Sequence, residues 1–341
     1  MIDLLVAGAG PVGLFTAINA AQAGLEVVLI EPLKGTIDKA CGEGLMPDAL
    51  ERLAHIHIDP EGIDFFGIRY IAGDRQAEAR FSNGHGRGVR RTTLQDALRE
   101  RASDLKIKFV TGRVEEIVQN SSFIEAAGIK SRYLIGADGL HSTVREQLGL
   151  AGTRSNRMRK HQRFGIRQHF TISPWTDLVE VYWLSDVEVY VTPVDNKSVG
   201  VAVLGEAVLD FDKIIARIPT LSARLRSAEP ASKVRGAGPL RQPVRARSEG
   251  RALLVGDAAG YVDALTGEGL RIGFAEAEAA VRAVLLDDLT SYEADWQSIT
   301  RSYRWLAGGL LTASSNRFIR PMIVPAARAL PAVFRRLINS I

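Results

Sequence analysis

Three glycines spaced Gly8-x-Gly10-x-x-Gly13 follow the apolar run Ile2–Ala7 and open a mostly apolar helical pattern that stops at Gly24. Those residue types suit a phosphate. Gly8 permits a tight turn, Gly10 lets backbone N–H groups approach a pyrophosphate, and Gly13 lets the helix pack closely on the strand. Unpaired N–H groups and the helix dipole favour an anion there. A second apolar run, Glu26–Ile30, ends at Glu31, 18 residues after Gly13, where a carboxylate can accept the hydroxyls of an adenosine ribose. Strand, glycine turn, helix, strand and acid predict a dinucleotide site. A turn used only for packing would leave Glu31 unexplained.

Two later segments repeat the pattern of a buried strand running into glycine and acid. Tyr133–Ile135 meets Gly136-Ala137-Asp138-Gly139, and Arg251–Val255 meets Gly256-Asp257-Ala258-Ala259-Gly260. Asp257, at a strand end beside a glycine, can project its carboxylate toward ligand hydroxyls; the plainer reading is a capped strand end. Thr266-Gly267-Glu268-Gly269 then begins an alanine-rich helix to about Leu286. Between Lys39 and Pro47, Cys41-Gly42-Glu43-Gly44 reads as a loop, at its plainest a connector with a solvent-facing Glu43. Ser82–Gly88 contains Asn83-Gly84, a hairpin-turn signal.

The elements that position these residues form a mixed pattern. Arg91–Leu94 opens a helix with Leu94 and Leu98 on one face, and Ile107–Thr111 and Val114–Val118 read as strands. From Phe164 to Leu204 the period becomes two, as in Val179–Trp183 and Val187–Val191, which predicts an antiparallel sheet with one covered face. Tyr182, Trp183 and Tyr190 on that sheet are candidates to line a pocket.

The 341 residues are 46% apolar and 24% charged, an ordinary globular composition that excludes disorder and coiled coil. One cysteine, Cys41, cannot form an internal disulfide, so a reducing cytoplasm is expected. The N-terminus lacks the basic region of a signal peptide, and no apolar stretch reaches the ~18 residues of a membrane span. The net charge of +4 is unevenly placed: Asn316–Ile341 holds five arginines and no acid. A second basic stretch, Arg154, Arg157, Arg159, Lys160, Arg163 and Arg167, also lacks acids. Neither forms a nucleic-acid module; both read as solvated faces or contacts to anionic ligands.

Together, the glycine fingerprint, Gly136–Gly139 with Ser142, Val144 and Arg145 following, and Gly256-Asp257 with Thr266–Gly269 resemble the FAD-dependent flavoproteins related to para-hydroxybenzoate hydroxylase. The resemblance spans about residues 1 to 290. Cys41–Gly44 and Thr266–Gly269 look like the geranylgeranyl reductase branch. The proline that hydroxylases carry before the later glycine turn is missing at Asp263-Ala264-Leu265.

The resemblance implies an α/β fold: a Rossmann-like FAD-binding domain (1–64, 85–153 and 244–290), an inserted antiparallel β-sheet substrate domain (65–84 and 154–243) and a helical C-terminus (291–341). By similarity, Arg91 reaches the FAD phosphates, Val114 meets adenine through its backbone, and Asp138 lies near the pyrophosphate. Cys41 lies in the loop passing the flavin ring, or is simply a small apolar residue there. Asp257 would accept ribityl hydroxyls, and the helix start at Gly267 and Gly269 would stabilise negative charge on the reduced ring.

The implied activity is an FAD oxidoreductase that takes a hydride from NADH or NADPH, bound transiently, and acts on a small hydrophobic or aromatic substrate. Monooxygenation is the commonest activity of the family and the leading expectation; reduction of a carbon–carbon double bond is the alternative. No residue is assigned as catalytic acid or base, and no metal is called for. The Trp-x-Trp-x-Ile-Pro signature of flavin halogenases is absent, since no two of Trp175, Trp183, Trp296 and Trp305 are two apart. A non-catalytic dinucleotide-binding module is the rival from another class, and it leaves Asp257 and Thr266–Gly269 without purpose. The basic, apolar tail either caps its own domain or lies on an anionic membrane surface.

Overall fold

The computed structural model describes residues 1–156, 158, 161–206 and 209–339. Arg157, Arg159 and Lys160 of the basic stretch lie outside the described residues.

Five parallel strands run through the first sheet, in the spatial order Ala252–Leu254, Ile129–Gly136, Ile2–Ala7, Val27–Glu31 and Lys108–Thr111. They read as unbroken apolar runs because both faces are covered; Leu4, Leu5 and Val6 are fully buried. Helices Pro11–Gln22 and Gly269–Leu285 pack together on this sheet, with the rings of Phe15 and Phe274 stacked at 4.3 Å. Ile2–Ala7 pairs with Val27–Glu31 on one side and Ile129–Gly136 on the other. Connections therefore leave in opposite directions and open a crevice at the strand carboxyl ends, where α/β sheets bind ligands.

The expected strand Val114–Val118 is displaced. The strand is Ile117–Gln119, which pairs with Ile124–Ala126 on the edge of Ile129–Gly136. Arg113–Glu116 is irregular, with Val114 buried.

A second sheet runs in the order Glu229–Pro230, Arg163–Thr171, Ser198–Glu206, Val187–Asp195, Val179–Trp183, Gly67–Ala72 and Arg75–Arg80. It is antiparallel save for the pair Val179–Trp183 and Gly67–Ala72. Asn83-Gly84 does not join two strands of one sheet. The hairpin turn is at Gly73-Asp74, and Ser82–Gly84 leads out of this sheet into a small one formed by Gly44–Leu45, Gly86–Gly88 and Ile63–Phe65.

The expectation of one covered face is also corrected. Val189, Val191 and Val201 pack under helices Phe211–Ala216 and Pro219–Leu225, while Tyr70, Val181 and Trp183 pack on the opposite face with Val324, Phe334 and Ile338. That second cover comes from helices Ile323–Ala329 and Pro331–Ile338, reached through the long helix Tyr292–Ser315. Charged residues that alternate with the valines are therefore buried, not solvated: Glu180 binds Arg69, and Glu188 binds Arg163 and Arg320.

Candidate active site

One cavity of about 900 Å³ runs from the glycine turn, past the Cys41 loop, to the space between the second sheet and the C-terminal helices. Its size is that of a ligand and cofactor site.

The first end is built for phosphate. Gly8 has φ +104°, and a Cβ there would lie 2.5 Å from the Ala137 carbonyl oxygen. Gly13 stands behind the turn, where a Cβ would lie 1.9 Å from the Gly8 carbonyl oxygen. It serves the close approach of helix and turn and does not line the cavity. Gly10 does line it, and its nearest neighbour on the Cβ side is an Arg91 guanidinium nitrogen at 3.8 Å. Arg91 Nε is buried without a partner, a donor left for a ligand anion. Glu31 is held by two backbone donors, Ala9 N–H at 2.8 Å and Leu33 N–H at 3.0 Å, and each carboxylate oxygen retains acceptor capacity. Asp138 Oδ2 accepts from Thr143 Oγ1 and Val144 N–H, capping the short helix Thr143–Gln147, while Oδ1 is buried and unpartnered.

The middle of the cavity is walled by Cys41–Gly44, Asp257 and the turn Thr266–Gly267. Asp257 lies in a 3-10 turn, Gly256–Ala259, directly after its strand. Burial raises its pKa, opposed by the charges of Arg91, Lys39 and Arg145. The helix Gly269–Leu285 starts at this wall. Behind it, burial pushes Glu276 up to about 8, although its Oε2 accepts Gly256 N–H at 2.6 Å.

Glu43 overturns its plain reading. It is buried, with φ +60°, a left-handed conformation that costs a non-glycine residue about 1 kcal/mol. Its Oε1 accepts Arg91 N–H at 2.9 Å and its Oε2 lies 2.6 Å from His169 Nε2. His169 Nδ1 faces guanidinium nitrogens of Arg167 at 2.9 Å and Arg90 at 3.3 Å. Guanidinium groups only donate, so Nδ1 accepts and the Nε2–H donates to Glu43; the tautomer is assigned from this donor geometry. Arg167 also binds Asp38 and holds its carboxyl below the usual range against the opposing effect of burial.

The third part of the cavity is apolar: Ile68, Val179, Val181 and Leu204 face Leu306, Leu310, Ile323, Ala327 and Phe334 across it. Of the three aromatics expected on the sheet, Tyr190 lines the cavity, donating to the Leu265 carbonyl at 2.9 Å. Tyr182 points to the other face, where its hydroxyl donates to Glu180 Oε2 at 2.8 Å. Trp183 packs on Tyr70 with ring centroids 5.3 Å apart.

Gly8, Gly10, Glu31, Cys41, Arg91, Val114, Asp138, Asp257, Gly267 and Gly269 are thus brought to one cavity from separate parts of the chain. The orphaned Arg91 Nε, the open side of Gly10 and the Asp257 carboxylate fit a dinucleotide with a polyhydroxyl linker. Sequence reasoning missed Glu43, His169 and the wall supplied by the C-terminal helices. A signal was present: Arg163, Arg167 and His169 fall at even spacing on one strand, hence on one face. Arg163 and Arg167 are buried and paired with carboxylates, not solvated.

Comparison with known proteins agrees with this geometry. The model of the FAD binding domain family matches residues 1–286. The menaquinone reductase of Mycolicibacterium smegmatis is 27% identical over 88% of this chain and 80% of its own. The digeranylgeranylglycerophospholipid reductase of Methanococcus vannielii is 25% identical over 90% and 85%, and the para-nitrophenol 4-monooxygenase of a Pseudomonas species 26% over 92% and 86%. A flavoprotein/dehydrogenase structure from Cytophaga hutchinsonii shares the fold, with a TM-score of 0.76 at 19% identity over 99% of this chain and 96% of that one.

Proposed function

We propose, from the premise that this chain belongs to the FAD binding domain family and is an FAD-dependent oxidoreductase, that it reduces a carbon–carbon double bond of an isoprenoid-chain substrate with electrons from NADH or NADPH. The observation that carries this reading is the continuity of the cavity. The wall made by Cys41–Gly44, Asp257 and Thr266–Gly267 opens directly into the apolar chamber between the second sheet and the C-terminal helices. Two of the relatives are named menaquinone reductase and digeranylgeranylglycerophospholipid reductase, which supports a substrate with an isoprenoid chain.

Bound FAD supplies a ring that accepts and returns a hydride. The chain supplies the rest. Arg91 and the turn Gly8–Gly10 would hold the phosphates, Glu31 the adenosine ribose, Val114 the adenine by its backbone, and Asp257 the ribityl hydroxyls. The helix start at Gly267 and Gly269 would offer its positive end to negative charge on the ring. Asp138, with one buried oxygen unpartnered, would lie near the pyrophosphate.

Saturating a double bond takes one hydride and one proton. Cys41 Sγ accepts Glu43 N–H at 3.4 Å, which leaves the thiol hydrogen to be donated, and the loop holds it at the cavity wall. Cys41 is the proton donor in this reading. The apolar walls of the chamber disfavour water beside the transferring hydride.

Oxygenation is the second reading, favoured by the para-nitrophenol 4-monooxygenase relative. Steady-state oxidation of NADH and NADPH under strict anaerobiosis, with polyprenyl compounds and phenols in turn, separates the two. Turnover stimulated by polyprenyl compounds without oxygen supports reduction. Stimulation by phenols alone, seen only in a parallel assay with oxygen present and matched by oxygen uptake, overturns it.

A further inference from the structure

Past Asp295 the sequence holds seven arginines and no acidic residue. One of the seven is internal. Arg320 is buried, pairs with Glu188, and donates to the carbonyls of Ser314 and Val187. The other six, Arg301, Arg304, Arg317, Arg328, Arg335 and Arg336, are exposed. Interspersed with them, Trp305 is 76% exposed, Phe318 73%, Met322 and Leu330 57% and Val333 52%. Exposed apolar side chains scattered singly need no explanation; here they gather on the segment that closes the apolar chamber. Leu330 and Val333 are both exposed and part of the chamber wall, so they lie on its rim.

We propose that this rim docks on a bilayer surface containing anionic lipid, so that an isoprenoid substrate enters the chamber sideways from the membrane. Large apolar side chains of this segment insert at headgroup depth, and its exposed arginines can extend to the lipid phosphates. Charge selects the occupant. A second copy of this chain joined by a twofold axis would oppose one arginine face with another, whereas an anionic bilayer complements it. What enters rests on the isoprenoid reading above; docking itself needs only the surface. The two fail separately.

The test is flotation of the FAD-loaded full chain with phosphatidylcholine vesicles made with and without phosphatidylglycerol. The wild type should float with the anionic vesicles and lose most of that binding at high salt. The double variant Arg328→Gln/Arg336→Gln should bind on the order of 30-fold more weakly, and Phe318→Ser/Met322→Ser should also fail to float. Both variants should keep wild-type turnover of a short, water-soluble isoprenoid and lose turnover of a long-chain substrate embedded in vesicles. Absence of flotation by the wild type, or equal flotation by the variants, overturns the proposal. So does a homodimer in size-exclusion chromatography that these variants break, or saltable binding to an acidic protein without vesicle binding. Flotation without any turnover of the short substrate would sink the isoprenoid reading and leave docking standing.

Discussion

Glu43 Oε2 lies 2.6 Å from His169 Nε2, across 126 residues of sequence. The contact fastens the Cys41 loop to strand Arg163–Thr171 of the second sheet, and the same carboxylate holds the start of helix Arg91–Asp104 through Arg91 N–H. A single buried acid thus sets the loop at the cavity wall, Arg91 and the second sheet relative to one another.

Removing that acid should cost stability and cofactor together. Glu43→Ala leaves His169 Nε2–H and Arg91 N–H without their acceptor while Arg167 keeps Asp38, a loss of about 1–3 kcal/mol for each buried donor left unpaired, read as a lowered Tm and weaker FAD retention. Glu43→Gln keeps an acceptor and should retain more of both. An unchanged Tm in Glu43→Ala would remove the pair from the account.

Arg91→Ala should weaken FAD binding by about 10- to 100-fold, the worth of charge-assisted hydrogen bonds to phosphate. FAD fluorescence titration of the apoprotein measures it. Since Arg91 Nε has no protein partner to lose, the apoprotein should melt close to the wild type.

Cys41→Ala should lower kcat for double-bond reduction by on the order of 10²-fold, the usual contribution of a positioned proton donor. The flavin spectrum and the rate of flavin reduction by NAD(P)H should stay near wild type. Slowed flavin reduction instead would assign Cys41 to holding the cofactor.

The pH dependence of stability carries a sign. Glu276 titrates at about 8 in the folded protein against an ordinary 4.5, so between those values the unfolded chain binds fewer protons and stability falls as pH rises. The loss begins above about pH 4.5 and is complete above about pH 8. Glu276→Gln stays neutral, so urea titrations should show it gaining stability over the wild type by several kcal/mol at pH 9, on the order of magnitude of the shift, and little at pH 5.

Ala327→Trp, on the apolar wall, should raise KM for a long isoprenoid about tenfold or more by occupying chamber volume, while a short substrate is spared. Equal effects on both would show that the chamber does not hold the chain.

Much of the nucleotide end was legible because its signals are local. A glycine turn, an acid at the next strand end and Asp257 after a buried strand each fit within a few residues. Glu43 was not legible, because what buries it is His169 and Arg167, and only the placement of a distant strand makes them neighbours. Glu180 and Glu188 looked solvent-facing because alternation reports period and not how many faces are covered. Their cover comes from Phe211–Leu225 and Ile323–Ile338. The tail's role as chamber wall was hidden for the same reason: its apolar residues have one side in the core and another on the rim.

The most direct test of the central claim is the mass of the product formed from an isoprenoid-chain substrate by the photoreduced holoenzyme in the absence of oxygen. Addition of two hydrogen atoms to the substrate, with the flavin returning to its oxidised spectrum, is the predicted result. A flavin that stays reduced until oxygen is admitted, with a product carrying one added oxygen atom, would contradict it.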